Sequence, residues 1–176
     1  MLEIELQLPT QQHKKLAEEY KQEFFQQHEL TINGSALLDQ MDYNEWLLNT
    51  ENNSRSETVR SDWVVATTYF AVRKFDNKII GMIDIRHSLN NEFLTKYGGH
   101  IGYSVRPTER RKGYATEMLK MGLEYAKSLN IKKVMLGCYV DNVPSILTIK
   151  KCGGILDETK PYADGKLMNI YWINLV

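Results

Sequence analysis

The stretch Arg110-Arg111-Lys112-Gly113-Tyr114-Ala115-Thr116 concentrates cations around a glycine where a strand-like run, Gly102-Tyr103-Ser104-Val105, gives way to an amphipathic helical pattern. The first turn of a helix leaves N–H groups without intrahelical partners, and the aligned peptide dipoles place partial positive charge there. Gly113 lets the backbone bend and approach a ligand with no Cβ in the way, and Arg106, Arg110, Arg111 and Lys112 outweigh the single acid Glu109. Such a junction suits a diphosphate laid on the N–H groups of residues 111–116. Charge alone leaves open a solvated basic turn at an ordinary helix end. The stretch lacks the Gly-x-x-x-x-Gly-Lys-Ser/Thr of a P-loop and the Gly-x-Gly-x-x-Gly of a dinucleotide fold.

The order Val105-Arg106-Pro107-Thr108-Glu109-Arg110-Arg111-Lys112-Gly113-Tyr114-Ala115 resembles the acetyl-coenzyme A loop of the GNAT superfamily of N-acetyltransferases, Arg/Gln-x-x-Gly-x-Gly/Ala, read here as Arg110-x-x-Gly113-x-Ala115. A second block, Asp141-Asn142-Val143-Pro144-Ser145 followed by a helix running to Lys151-Cys152-Gly153-Gly154, is similar to the family's Asn-x-x-Ser/Ala helix. The resemblance is carried by residues 60–176. It implies an α/β fold with a central, mostly antiparallel sheet, helices on its flanks, and a splayed parallel strand pair that opens a slot for the pantetheine arm. It further implies acetyl-coenzyme A as cosubstrate, with its diphosphate on Arg110, Arg111, Lys112, Gly113, Tyr114, Ala115 and Thr116, and with Asn142 and Ser145 beside the arm. Asn142 equally fits the N-cap of the helix that carries Pro144 in its first turn.

Acyl transfer from a thioester to an amine needs a neutral amine, a donor for the developing oxyanion and a way to stabilise the departing thiolate. A backbone N–H near Val105 is the expected oxyanion donor. Many family members carry a tyrosine seven residues after the asparagine; here that position is Ile149, which cannot donate a proton. Tyr139, Tyr103 and Thr148 are the hydroxyls at hand, and a thiolate with a pKa of about 8.5 leaves passably unaided. For the base, His100 opens the strand before the loop and His87 ends the one before that, and imidazole titrates near neutrality; Asp84 and a water chain are the alternatives. The implied activity is acetyl transfer to a primary amine, on a small molecule or a peptide. A non-catalytic acyl-coenzyme A sensor is the second reading, motivated by Ile149, and a basic nucleic-acid module the third.

At 176 residues, with 22 basic and 22 acidic side chains, the chain matches one domain, 1–176, and its balanced charge argues against bulk attraction to nucleic acid. Two cysteines and four histidines show no metal-ligand spacing, so no metal is expected. No secretory segment and no apolar run of about 18 residues is present, which points to a cytoplasmic protein with no membrane partner. Edge strands and exposed aromatics leave room for a homodimer.

The elements follow from periodicity. Leu2, Ile4, Leu6 and Leu8 alternate in a strand over residues 1–8, ended by Pro9. Thr10 then caps a helix to about His28 with Leu16, Tyr20 and Phe24 on one face. A second helix runs from Asp42 to about Asn52, and the polar residues 51–58 form a loop. Strands are expected over 64–73 and 79–86 as a hairpin, then over 100–105, 133–140 and within 165–176. The helix after the basic loop turns Met118, Leu119, Gly122 and Ala126 to the core, giving a β–α–β unit with a right-handed crossover. Residues 29–60, together with the loops 87–98 and 157–166, are expected to wall the cleft.

Overall fold

The structure is a computed structural model that describes residues 2–176; Met1, at the head of the expected first strand, lies outside the described residues. Leu6 pairs with Ala71 because β1 (Ile4–Gln7) runs antiparallel along β2 (Ala66–Arg73), which in turn forms the expected hairpin with β3 (Lys78–Arg86). β4 (Ile101–Val105) completes this sheet in the order β1-β2-β3-β4, every neighbour antiparallel. A second sheet holds β5 (Lys133–Tyr139), β6 (Ile155–Pro161) and β7 (Leu167–Asn174) in the order β5-β7-β6.

Four helices cover the two faces. α1 (Lys14–Gln26) and α2 (Tyr43–Asn53) lie on one face of the first sheet, where Tyr20, Phe24 and Trp46 pack on Phe70 and Met82. Thr10 does begin the helical segment, as a tight turn in which His13 Nδ1 accepts from the Thr10 N–H at 3.0 Å, and Asp42 caps α2 by accepting from the Asn44 and Glu45 N–H groups. On the opposite face, α3 (Tyr114–Ser128) buries Met118, Leu119, Gly122 and Ala126 against Ile83 and Ile101. A Cβ on Gly122 would come within 2.6 Å of Ile83 Cδ1, so glycine there sets how closely α3 sits on β3. The same core continues under α4 (Val143–Lys151) to Leu136, Tyr171 and Ile173 of the second sheet. Burying side chains of this size contributes about 1.5–3 kcal/mol each. The core therefore bridges the two sheets at the place where their backbones part.

The structure differs from the sequence reading at two places. Residues 155–161, five of the seven assigned to a loop, form β6, an edge strand whose side chains are nearly all exposed and so carry no alternating apolar signal. The expected loop over 87–98 ends in a single wide helical turn, Leu94–Gly98. Both cysteines are unpaired, Cys138 within the core and Cys152 half-buried, and among the described residues no helix is long and apolar enough to cross a membrane.

Candidate functional site

The basic loop presents amides rather than free cations. From Arg111 to Thr116 no backbone N–H donates to a protein acceptor among the described residues, the first helical bond of α3 being Glu117 N–H to Gly113 O. Arg111 and Gly113 both adopt left-handed backbone, φ 62° and 90°. Alternating conformations of this kind curl successive N–H groups into a concave anion site, here at the positive end of α3.

The cations, expected to face a ligand, are mostly engaged by carboxylates of the protein itself. Arg110 forms a two-pronged ion pair with Glu29, both bonds 2.7 Å, and its guanidinium lies over the Phe24 ring. Buried Arg106 donates to Glu23 at 2.8 Å and to the Ile79 carbonyl at 2.7 Å, while Glu23 also accepts from the Thr108 N–H and hydroxyl. Glu109 receives Arg73, Lys78 and Lys112 at 2.8–3.0 Å. Burial alone would raise the Glu109 pKa, but the bonds from Lys112, Lys78 and Arg73 outweigh it and hold the group down at about 2. These pairs strap residues 106–112 to α1 and to the β2–β3 hairpin, so the amides of 111–116 are set before any ligand arrives. Arg111 forms no ion pair among the described residues and is the loop cation left over. Tyr114 points its ring into the core, with its hydroxyl accepting from Arg73, and contributes only its amide to the loop.

Beyond the loop lies the gap between the sheets. Arg86 N–H donates to His100 O and Arg106 N–H to Ile80 O, so even-numbered residues of β4 bond to β3. Strand alternation then turns the N–H and C=O groups of Ile101, Tyr103 and Val105 toward β5. By the same parity, with Val140 N–H bonded to Leu167 O, Gly137 and Tyr139 of β5 face β4. The two strands pair with each other only at the base of the gap, through the Gly99–Leu136 bridge and the His100–Met135 contacts. Above that point two unpaired strand edges face one another in a slot, the arrangement that accepts an extended chain bearing amides. Val105 sits at the open end, its N–H facing the slot and its carbonyl accepting from Arg110 Nε at 3.2 Å. At the mouth, Asn142 caps α4 with Oδ1 accepting from the Ser145 N–H at 3.3 Å, leaving its amide nitrogen without a partner among the described residues.

Neither histidine is arranged as a base facing this slot. His100 is 7% exposed; its N–H donates to Met135 O at 2.8 Å and its Nδ1 accepts from the Met135 N–H at 3.0 Å. The Nδ1 lone pair is therefore engaged and the ring proton of the neutral form sits on Nε2. Burial, with Arg86 nearby, pushes the pKa down to about 4. His100 is the pin that closes the base of the slot. His87 bonds through Nε2 to Thr67 Oγ1 at 2.8 Å, on the side of β3 away from β4, and Thr67 bonds onward to the Tyr125 hydroxyl at 2.9 Å. Tyr125 is twelve residues along α3 from Gly113, about 18 Å by helical rise. His87 lines a cavity of about 700 Å³ with Trp63, Val64 and residues 54–57, so the polar loop over residues 51–58 borders that cavity.

The His100 pin carries a pH signature. Its native pKa lies below the ordinary 6.5, so below pH 6.5 the unfolded chain binds a proton that the native state refuses. Stability is then lost as pH falls from 6.5 toward 4, with a slope approaching about 1.4 kcal/mol per pH unit. Urea titrations across that range are expected to show this fall, and His100→Gln, which does not protonate, to show a shallower one.

Comparison with known proteins follows the same outline. Residues 4–155 match the family described as "Acetyltransferase (GNAT) domain". A curated relative, "Uncharacterized N-acetyltransferase YnaD" of Bacillus subtilis (strain 168), is 31% identical over 70 residues; the match spans 39% of this chain and 41% of that relative. Among solved structures, the ribosomal-protein-S5-alanine acetyltransferase of Vibrio fischeri superposes with a TM-score of 0.75 at 15% identity, covering 99% of this chain and 95% of its own. The microcin C7 self-immunity acetyltransferase MccE, in complex with acetyl-CoA and AMP, does so with a TM-score of 0.65 at 22% identity, covering 98% and 93%. With the matched span running from β1 through the loop, the slot and α4, the chain belongs to the GNAT acetyltransferase domain family.

Proposed function

We propose that the protein, acting as one domain over residues 1–176, transfers an acetyl group from acetyl-coenzyme A to a primary amine. The observation that carries this reading is the run of unpartnered N–H groups from Arg111 to Thr116, preset by ion pairs and placed at the mouth of a slot with two unpaired strand edges. Those amides and the Arg111 guanidinium would hold the diphosphate. The slot-facing amides of β4, the Asn142 side-chain amide and the Ser145 hydroxyl would hold the pantetheine arm. The thioester, when bound, supplies the activated acyl group. The Val105 N–H, directed into the slot, would donate to its carbonyl oxygen, where charge grows during attack.

With His100 pinned and His87 turned to another cavity, the proton lost by the amine passes to water. No dedicated imidazole base is assigned. MccE, solved with acetyl-CoA, supports the cosubstrate by likeness of fold, and the S5-alanine acetyltransferase supports an amine acceptor of the protein or peptide class beside small amines. Thiol release measured with acetyl-coenzyme A and a panel of polyamines, amino-sugar amines and peptide N-termini is expected to rise with at least one acceptor. Ile149, in place of a proton-donating tyrosine, favours one second reading, an acyl-coenzyme A sensor; tight binding with no release from any acceptor would select it.

A further inference from the structure

We infer that Tyr103 of β4 donates the hydrogen bond that stabilises the departing thiolate, a task Ile149 of α4 cannot perform; this rests on the acetyl-transfer reading above. Ser145 and Ile149 are four residues apart in α4 and so share a face. Ile149 is 1% exposed and offers that face no hydroxyl. The hydroxyl that reaches it comes from across the gap: the Tyr103 phenol oxygen lies 2.8 Å from Ser145 Oγ, tying β4 to α4. The backbone of Tyr103 stands in the middle of the slot-facing edge, and its hydroxyl lies near Cys138 of β5 and Thr148 of α4. It thus sits where β4, β5 and α4 converge on the slot.

The local bonding leaves the phenolic proton available. A hydroxyl donates once and accepts twice. The Ser145 N–H is already given to Asn142, and the Ser145 hydroxyl can donate to the Tyr103 oxygen, which frees the phenol to donate into the slot. Tyr139, the alternative, has its hydroxyl committed to Asp164 at 2.7 Å within an aromatic cluster that includes Tyr162. Burial pushes the Tyr103 phenol up to about 12, so it remains protonated across the neutral range. It also holds its proton more tightly than a thiol of pKa about 8.5. Tyr103 is therefore a hydrogen-bond donor to the sulfur and keeps its proton. The C–N bond forms as the C–S bond breaks with its electron pair on sulfur. The proton released by the amine goes to water, and the thiolate takes one from water.

The test does not depend on knowing the acceptor. Calorimetry from about pH 6 to 10, with coenzyme A and with its S-ethyl thioether, isolates the thiol titration, because only the former ionises at sulfur. In wild type the bound thiol is expected to titrate below the free thiol. In Tyr103→Phe that shift is expected to disappear while thioether affinity stays within about threefold, and Tyr139→Phe is expected to behave as wild type. With an active acceptor, Tyr103→Phe should lower kcat by about tenfold to a hundredfold, the worth of one hydrogen bond to a charge, at unchanged KM for acetyl-coenzyme A. Thermal unfolding confirms that both variants fold. If Tyr103→Phe keeps the wild-type thiol titration and kcat, or if Tyr139→Phe is the variant that loses them, the assignment is overturned while the acetyl-transfer reading stands. If wild type binds neither ligand, both are overturned.

Discussion

Gly113→Trp is expected to weaken acetyl-coenzyme A binding by at least about a hundredfold from a wild-type affinity in the micromolar range, the equivalent of about 3 kcal/mol. Two causes act together. Gly113 has φ 90°, a left-handed conformation that costs an L side chain roughly 1–2 kcal/mol. A Cβ there meets only Leu2 Cδ1, at 3.3 Å, a contact that a small shift of that flexible side chain relieves, but an indole extending from it occupies the concavity in front of the amides of residues 111–116. Gly113→Ala carries the backbone strain without the bulk and should lose less affinity than Gly113→Trp. Calorimetry on the three proteins separates the causes, and equal affinity in all of them would place the diphosphate elsewhere.

Glu109→Gln is expected to lower stability at pH 7 by about 2 kcal/mol, seen as a fall in Tm of roughly 4–8 °C for a chain of this size. The carboxylate gathers Arg73, Lys78 and Lys112, and its pKa is held at about 2. Against an unfolded value of about 4.3, linkage assigns it roughly 3 kcal/mol, which solvent screening around the partly exposed lysines trims to about 2. The sign follows from the lowered pKa: the stabilisation is nearly complete above about pH 5 and vanishes as pH falls toward 2. Chemical denaturation of wild type and variant should therefore converge at the acid end. A constant gap between them down to pH 2 would mean that Glu109 acts through packing and not through charge.

The basic loop and α3 were legible because their signals are local. Gly113 follows three cations in sequence, and Met118, Leu119, Gly122 and Ala126 recur at helical spacing. What the loop cations do was not legible, since their partners, Glu23 on α1 and Glu29 just beyond its end, lie 83 and 81 residues away, with nothing in the local sequence to announce them. The same holds for His100. Its position at the head of β4 was readable, but the Met135 amide that engages its ring is 35 residues on, and only the three-dimensional contact turns a candidate base into a structural pin. His87 depended on which side of β3 the ring would take, and it turned toward Thr67 of β2. β6 escaped because an exposed edge strand buries no face, and burial is what writes alternation into a sequence.

Amide chemical shifts of the protein titrated with acetyl-coenzyme A probe the cradle most directly. Saturation is predicted to move the amides of Arg111 to Thr116 most, together with those of Tyr103 and Val105 on the slot edge of β4. Saturable binding that leaves residues 111–116 in place, while amides around Trp63 and His87 move, would contradict the site.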